Sequence, residues 1–323
     1  MELSKKEKRM LFNKSMSLTG LALLIVLSIV ICSVISLGWF GNNTSGTTAT
    51  GMQATAKEDH FELAVSGSQA LPYDNSSPIV TYLNSNEGGN YYKLASTDRS
   101  NTSILCHVTN ENPHILGSEE IAPGAYGQIS FDIVTDVGAP LVNYDISLEF
   151  LPFGKVGNTP VPVSNLIIDD IKEVLNGHFL IFSSRSVLIN GGYYYSDRIE
   201  GKNFVFDPSE HTPVTRADGV HYTVNLYWIW PGTFAQLALA STSPKLHAHP
   251  VFQTELERQD ILDYIALNRS EFFLNVSPSI NFSRAGFEEY YFVELSEEYN
   301  NADQLIGDNA NILVIRFTVN AIS

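Results

Sequence analysis

The sequence predicts a mainly β protein, an antiparallel sandwich of jelly-roll type with helical insertions, preceded by one N-terminal transmembrane or signal helix. Three observations predict it. Leu18 to Phe40 is a long apolar stretch behind a basic start. Several later segments alternate apolar and polar residues with the period of a half-buried strand. Helical periodicity also occurs, but without the regular strand–helix alternation of a parallel sheet.

Residues 1–14 form a basic head in which Lys5, Lys6, Lys8, Arg9 and Lys14 face only Glu2 and Glu7. Between Lys14 and Lys57 no side chain is charged. The apolar helix over 15–40 is long enough to cross a bilayer, and the positive-inside rule puts the head in the cytoplasm. Ser36-Leu37-Gly38 also offers a small-x-small site, with cleavage between Gly38 and Trp39. Anchor and cleaved signal therefore both stand as readings. Residues 41–56 are small and polar, a linker or an N-terminal strand. Everything from 57 to 323 is expected outside the membrane, either held at the cell membrane or released to the cell surface.

Within that domain Ile129, Phe131 and Ile133 alternate with Ser130 and Asp132. Tyr144, Ile146, Leu148 and Phe150 alternate with Asp145, Ser147 and Glu149. Tyr222, Val224, Leu226, Trp228 and Trp230 share one parity, as do Leu313, Ile315, Phe317 and Val319. Parity predicts one shared core for Phe131, Ile146, Trp228 and Phe317. Ala122-Pro123-Gly124 and Pro231-Gly232 punctuate the strands as turns. Phe179-Leu180-Ile181-Phe182 is apolar throughout, as a strand covered on both faces would be.

Three stretches carry helical spacing. Ile167, Ile171, Val174 and Leu175 follow it, with Ser164 upstream and Gly177 placed as a stop. Thr254-x-x-Glu257 reads as a capping box for a helix presenting Ile261, Leu262 and Ile265. Ser296 would cap a third helix carrying Tyr299, Ala302 and Ile306, ended by Gly307. The region 152–310 therefore reads as an insertion into the sandwich.

Charge is lopsided. Beyond residue 56 the chain has 14 basic against 33 acidic residues. A body so acidic repels phosphates, so nucleic acid is not an expected partner. Cys32 lies in the apolar helix, which leaves Cys106 without a disulfide partner in the exported part and reading as a buried, inert thiol.

No HExxH, P-loop, GxGxxG, GxSxG or EF-hand pattern occurs. His247-Ala248-His249 can put two imidazoles on one strand face, but no third ligand follows by spacing, so no metal and no cofactor are expected. Asp169-Asp170, Glu288-Glu289 and Glu297-Glu298 are adjacent carboxylates, which a helix points about 100° apart. They read as solvated faces and not as an acid/base pair. Catalytic residues are accordingly expected to be absent. Tyr193, Tyr194 and Tyr195 cannot all be buried in one strand and read as a surface aromatic platform. Trp228 and Trp230 read as core. Asn-x-Ser/Thr triplets beyond residue 40, among them those at Asn43, Asn75, Asn101, Asn268, Asn275 and Asn281, are glycan acceptors only in a eukaryotic secretory route.

The head resembles exported proteins of Gram-positive bacteria that depend on a SipW-type signal peptidase, through Lys5 to Arg9, the apolar helix, Leu37-Gly38-Trp39-Phe40, an Asn/Thr-rich stretch and Gly51-Met52. The exported part resembles the TasA/camelysin family at Ala122-Pro123-Gly124 and Ile129 to Val134, with Asp136-Val137-Gly138 replacing an asparagine–glycine element. The resemblance covers roughly residues 5–65 and 115–150. It implies a jelly-roll sandwich and a subunit of extracellular biofilm fibres joined by an inserted N-terminal strand. Metalloprotease activity, described for camelysins, is not carried over, because the zinc signature is missing.

Residue chemistry points the same way. The stretch from Trp39 to Leu71 is free of proline and can add to an open sheet edge, and head-to-tail contacts of that kind build filaments. A non-enzymatic surface or matrix structural protein that self-associates is the leading expectation. The alternative is a membrane-anchored binding module for carbohydrate or a protein partner. A surface hydrolase ranks third.

Overall fold

A computed structural model of the chain describes residues 61–65, 99, 101–115, 120–157, 159–187, 193–239, 258–275, 280, 282 and 289–322. The basic head, the 15–40 helix, the Gly38–Trp39 cleavage site, the 41–56 linker, His247, His249 and the Thr254–Glu257 box lie outside the described residues. Among the described residues no helix is long and apolar enough to cross a membrane.

The strands, in chain order, are β1 (Phe61–Val65), β2 (Ser103–His107), β3 (Tyr126–Thr135), β4 (Asn143–Val156), β5 (Thr159–Pro162), β6 (Leu180–Val187), β7 (Tyr193–Arg198), β8 (Asn203–Phe206), β9 (Val214–Arg216), β10 (Gly219–Ile229) and β11 (Ile312–Ile322). They make two antiparallel sheets. The first runs β1-β3-β10-β6-β7, with β9 also on β10. The second runs β2-β11-β4-β5, with β8 also on β4. The molecule is thus mainly β, as its alternating segments predict.

Alternation explains the packing between the sheets. In β4, Tyr144, Ile146, Leu148 and Phe150 are buried, and the residues between them are half-exposed. In β11, Leu313, Ile315, Phe317 and Val319 face the same interior, and the register sets Phe317 beside Leu148. The first sheet answers with Ile129, Phe131 and Ile133 of β3 and Val224, Leu226 and Trp228 of β10. Phe131 and Phe317 meet across the sheets at 4.7 Å between ring centroids. Phe131, Ile146, Trp228 and Phe317 do share one core. Trp228 lies across Gly127 of β3, where a Cβ would stand 2.8 Å from the indole nitrogen, so only glycine leaves the ring its place.

A second core lies on the other face of the first sheet. Five helices among the described residues contribute to the packing: α1 (Ile168–His178), α2 (Phe234–Leu239), α3 (Arg258–Leu267), α4 (Arg269–Phe272) and α5 (Glu289–Asn309). Leu180 and Phe182 of β6 pack with Phe234, Leu262, Phe272 and Tyr299 there, while Phe179 and Ile181 belong to the sandwich interior. The apolar run from Phe179 to Phe182 is therefore covered on both faces, as expected.

The reading of 152–310 as an insertion is corrected. That span supplies β5 through β10 and so builds much of both sheets. The cap assignments are corrected too. Helix α1 runs through Gly177, whose hydrogen faces α4 because a Cβ would stand 2.7 Å from the Phe272 ring. Helix α5 starts at Glu289, so Ser296 is interior and its hydroxyl donates to the Phe292 carbonyl at 2.7 Å. It continues past Gly307 to Asn309.

Candidate functional site

The tyrosine run divides. Tyr195 is fully buried against Phe182, with ring centroids 5.3 Å apart, and burial pushes its hydroxyl pKa up. It is not a platform residue. The Tyr194 side chain lies outside the described residues. Tyr193 is half-buried and joins a cluster that spacing does not reveal. The guanidinium carbon of Arg185, from β6, stands 4.2 Å from the Tyr193 ring centre and 4.7 Å from that of Tyr227 on β10. Tyr126 of β3 meets Tyr193 edge-on at 5.3 Å. Glu111 accepts from Arg185 Nη1 at 3.0 Å.

The electrostatics follow from that geometry. Burial works against the charged form of Arg185, but Glu111 outweighs it and the guanidinium pKa is raised. Partial burial, with Tyr193 and Glu111 adding, raises the hydroxyl pKa of Tyr126. The cluster is a cation held among π faces and tied to one carboxylate. Arg185 covers a face of Tyr193 and of Tyr227, so these rings do not form a bare stacking shelf. On the same sheet face Gln128 donates to Asn225 at 3.0 Å and Ser130 to Asn225 at 2.7 Å.

Two further polar clusters are enclosed. In the first, Asp132 of β3 takes a hydrogen bond from Thr223 at 2.8 Å and lies 3.0 Å from His221 Nδ1. His221 Nε2 lies 2.9 Å from Asp218, and Arg216 stands 3.3 Å from Asp132. Acyl transfer needs a hydroxyl on the imidazole, with the carboxylate behind it. Here the hydroxyl is on the carboxylate and both imidazole nitrogens face acids. The arrangement braces β3, β9 and β10; it does not activate Thr223. The hydrogen bond from His221 lowers the pKa of Asp218.

The second cluster joins sandwich and helices. His178 is fully buried at the end of α1, its Nδ1 2.6 Å from Asp303 of α5 and its Nε2 3.0 Å from the Phe272 carbonyl. A carbonyl only accepts, so Nε2 carries a proton, and the Nδ1–Asp303 contact needs one more. The Trp230 indole donates to the same Asp303 oxygen at 2.6 Å, and the His178 ring stacks on Tyr299 at 4.0 Å. Trp230, like Trp228, belongs to the core.

A crevice beside β7 is lined by Leu148, Phe150, Phe179, Asn176, Arg198 and Tyr264 among others and measures about 20 Å³. A water molecule needs roughly 10–15 Å³ of such room, so one water fits and a sugar ring does not. Arg198 stacks over Tyr264 at 3.9 Å, and the Tyr264 hydroxyl donates to Glu271 at 2.9 Å. Burial and the neighbouring Glu271 push the Tyr264 pKa up to about 12, and burial raises that of Glu271.

Asp169 and Asp170 are exposed in the first turn of α1, where they suit the helix dipole. Glu297 is exposed on α5 with Glu298 half-exposed beside it, and Glu288 lies outside the described residues. Burial pushes the Cys106 thiol up to about 12, which removes the thiolate a nucleophile needs. Among the described residues no group of three or more His, Cys, Asp or Glu is placed to hold a metal ion.

The clusters join residues far apart in the chain: Glu111 with Arg185, Asp132 with His221, His178 with Asp303. No local motif could have found them. The available signal was a polar side chain, such as Asp132 or His178, inside an apolar or alternating context. Comparison with family models, with curated proteins and with solved structures finds no match.

Proposed function

We propose that the chain is a non-enzymatic structural protein of the cell surface or extracellular matrix, and that it self-associates into fibres through its N-terminal strand. It is delivered to the membrane by residues 15–40 and either stays anchored there or is released by cleavage between Gly38 and Trp39. The observation that carries this reading is the position of β1. That strand lies at the rim of the first sheet, pairs with Phe131–Thr135 of β3, donates from the Leu63 N–H to the Asn101 carbonyl at 2.7 Å, and is followed by 33 residues before Arg99. An edge strand on so long a connection can be supplied by a neighbour as readily as by its own chain. The strand orders β2-β11-β4-β8 and β3-β10-β6-β7 fit a jelly roll, which supports the finer form of the sandwich.

The test compares the full chain with one lacking residues 39–65, which removes β1. Sedimentation should find assemblies of the first and monomers of the second. Monomers in both samples refute the fibre reading. The tyrosine–arginine cluster favours a second reading, a membrane-anchored module that binds carbohydrate or protein beside Tyr126, Gln128 and Asn225. Saturable oligosaccharide binding that weakens in Tyr126→Ala would establish it.

A further inference from the structure

Strand β1 has one ionisable side chain, and that side chain is enclosed. Leu63 is fully buried in the sandwich interior, and Glu62, which alternation puts on the opposite face, is fully buried too. A carboxylate so placed requires a countercharge, because a buried unpaired charge is heavily penalised. Arg99 provides it, with Nη1 3.0 Å from Glu62 Oε1. The same guanidinium reaches Asp136 Oδ1 through Nε at 3.0 Å, and Nη2 donates to the Asp218 carbonyl. Arg99 therefore ties β1 to the end of β3 and to the turn between β9 and β10. Its own side chain is only 7% exposed.

The pairing between β1 and β3 is made of main-chain hydrogen bonds, which do not read sequence. Backbone pairing alone would admit any extended peptide at this edge. The enclosed guanidinium adds a criterion, since a strand with an apolar residue at the Glu62 position would deprive Arg99 of that carboxylate. It also fixes register, because a shift of one residue would turn Glu62 toward the interior and Leu63 away from it. The 33 residues between Val65 and Arg99 can reach on the order of 100 Å when extended. Arg99, Asn101 and β3, which together hold β1, all follow that connection in the chain.

We infer that the Glu62–Arg99 pair selects the partner at this sheet edge: a second copy of this chain, recognised by the carboxylate on its N-terminal strand. The inference rests on the strand-mediated assembly proposed above, and it adds the charge code that keeps foreign strands out.

The experiment uses full-length chains in detergent micelles, one affinity-tagged and one fluorescent, in four forms: wild type, Glu62→Arg, Arg99→Glu and the double exchange. Each single variant alone should associate at least tenfold more weakly than wild type, because like charges then meet in an enclosed site. Mixing the two single variants should restore association, since the Arg99→Glu body accepts the Glu62→Arg strand. The double variant should associate more tightly than either single variant. Near-ultraviolet circular dichroism of the buried Trp228 and Trp230 reports folding of every form. Should wild type itself prove monomeric, the assembly reading fails and takes the charge code with it. Wild-type association with undiminished singles overturns the charge code alone. Singles rescued by the double exchange but not by mixing also overturn it, because the pair then works only within one chain.

Discussion

Trp228 lies parallel to Phe179, with ring centroids 4.6 Å apart, and no part of it reaches solvent. Truncating it to alanine should cost roughly 3–5 kcal/mol in chemical denaturation, the range for a large buried aromatic. A change near zero would return this residue to the surface. Glu271 makes the opposite kind of prediction. Burial raises its folded pKa above the ordinary 4.5, so the folded state holds its proton more tightly than the unfolded state does. Stability from this group is present below pH 4.5 and is lost as pH rises through the higher folded value. Glu271→Gln should remove that loss, leaving a protein at least as stable as wild type at pH 7 and flatter in melting temperature across that window. A variant that melts lower at neutral pH than wild type contradicts this account. Cys106 should resist thiol reagents until the protein unfolds, since burial leaves almost no thiolate at neutral pH.

Gly177 shows what a helix owes to its neighbours. Gly177→Ala should improve helix propensity by about 1 kcal/mol. The added methyl would stand 2.4 Å from the Glu271 carbonyl oxygen and 2.7 Å from the Phe272 ring, so α4 must move. Overpacking of this kind typically costs 1–3 kcal/mol, and the net change in thermal melting should be destabilising. The same residue shows where sequence reading fell short. Ser296 and Gly307, like Gly177, carry local signals for helix ends, yet α5 runs through both and α1 through Gly177. At Gly177 packing against α4 overrode the local preference, and at Ser296 the hydroxyl bonds back to the Phe292 carbonyl within the helix. The strands were readable because each alternation maps directly onto a buried and an exposed face, as in β4. At the candidate site Tyr193 was readable from its run, whereas Arg185 and Glu111 come from segments 74 residues apart, which no local pattern joins.

Across the whole described domain the two cores are bridged by α5. Ala302 and Ile306 of this helix sit in the sandwich core, while Leu295 and Tyr299 sit in the other. Asp303, between them, holds His178 and Trp230. The cores should therefore unfold together, with coincident denaturation curves from near- and far-ultraviolet circular dichroism. His178→Ala would take one hydrogen-bond partner from the enclosed Asp303 and should lower that single transition by about 1–3 kcal/mol. Two separated transitions in wild type would mean that the helical layer stands alone. The order of the second sheet has a consequence in time. One of its interior strands is β11, which pairs with β2 on one side and with β4 on the other, and β2 precedes it by some two hundred residues. While a ribosome is still adding the residues before Ile312, β2 and β4 have no common neighbour and the sheet cannot close. Synthesis at about 5–20 residues per second thus leaves the sheet unclosed for roughly 10–40 seconds after β2 has been made. Until β11 arrives, the edges of β2 and β4 that it will cover stay open to any extended strand nearby, so the nascent domain is exposed to mispairing for the whole of that interval.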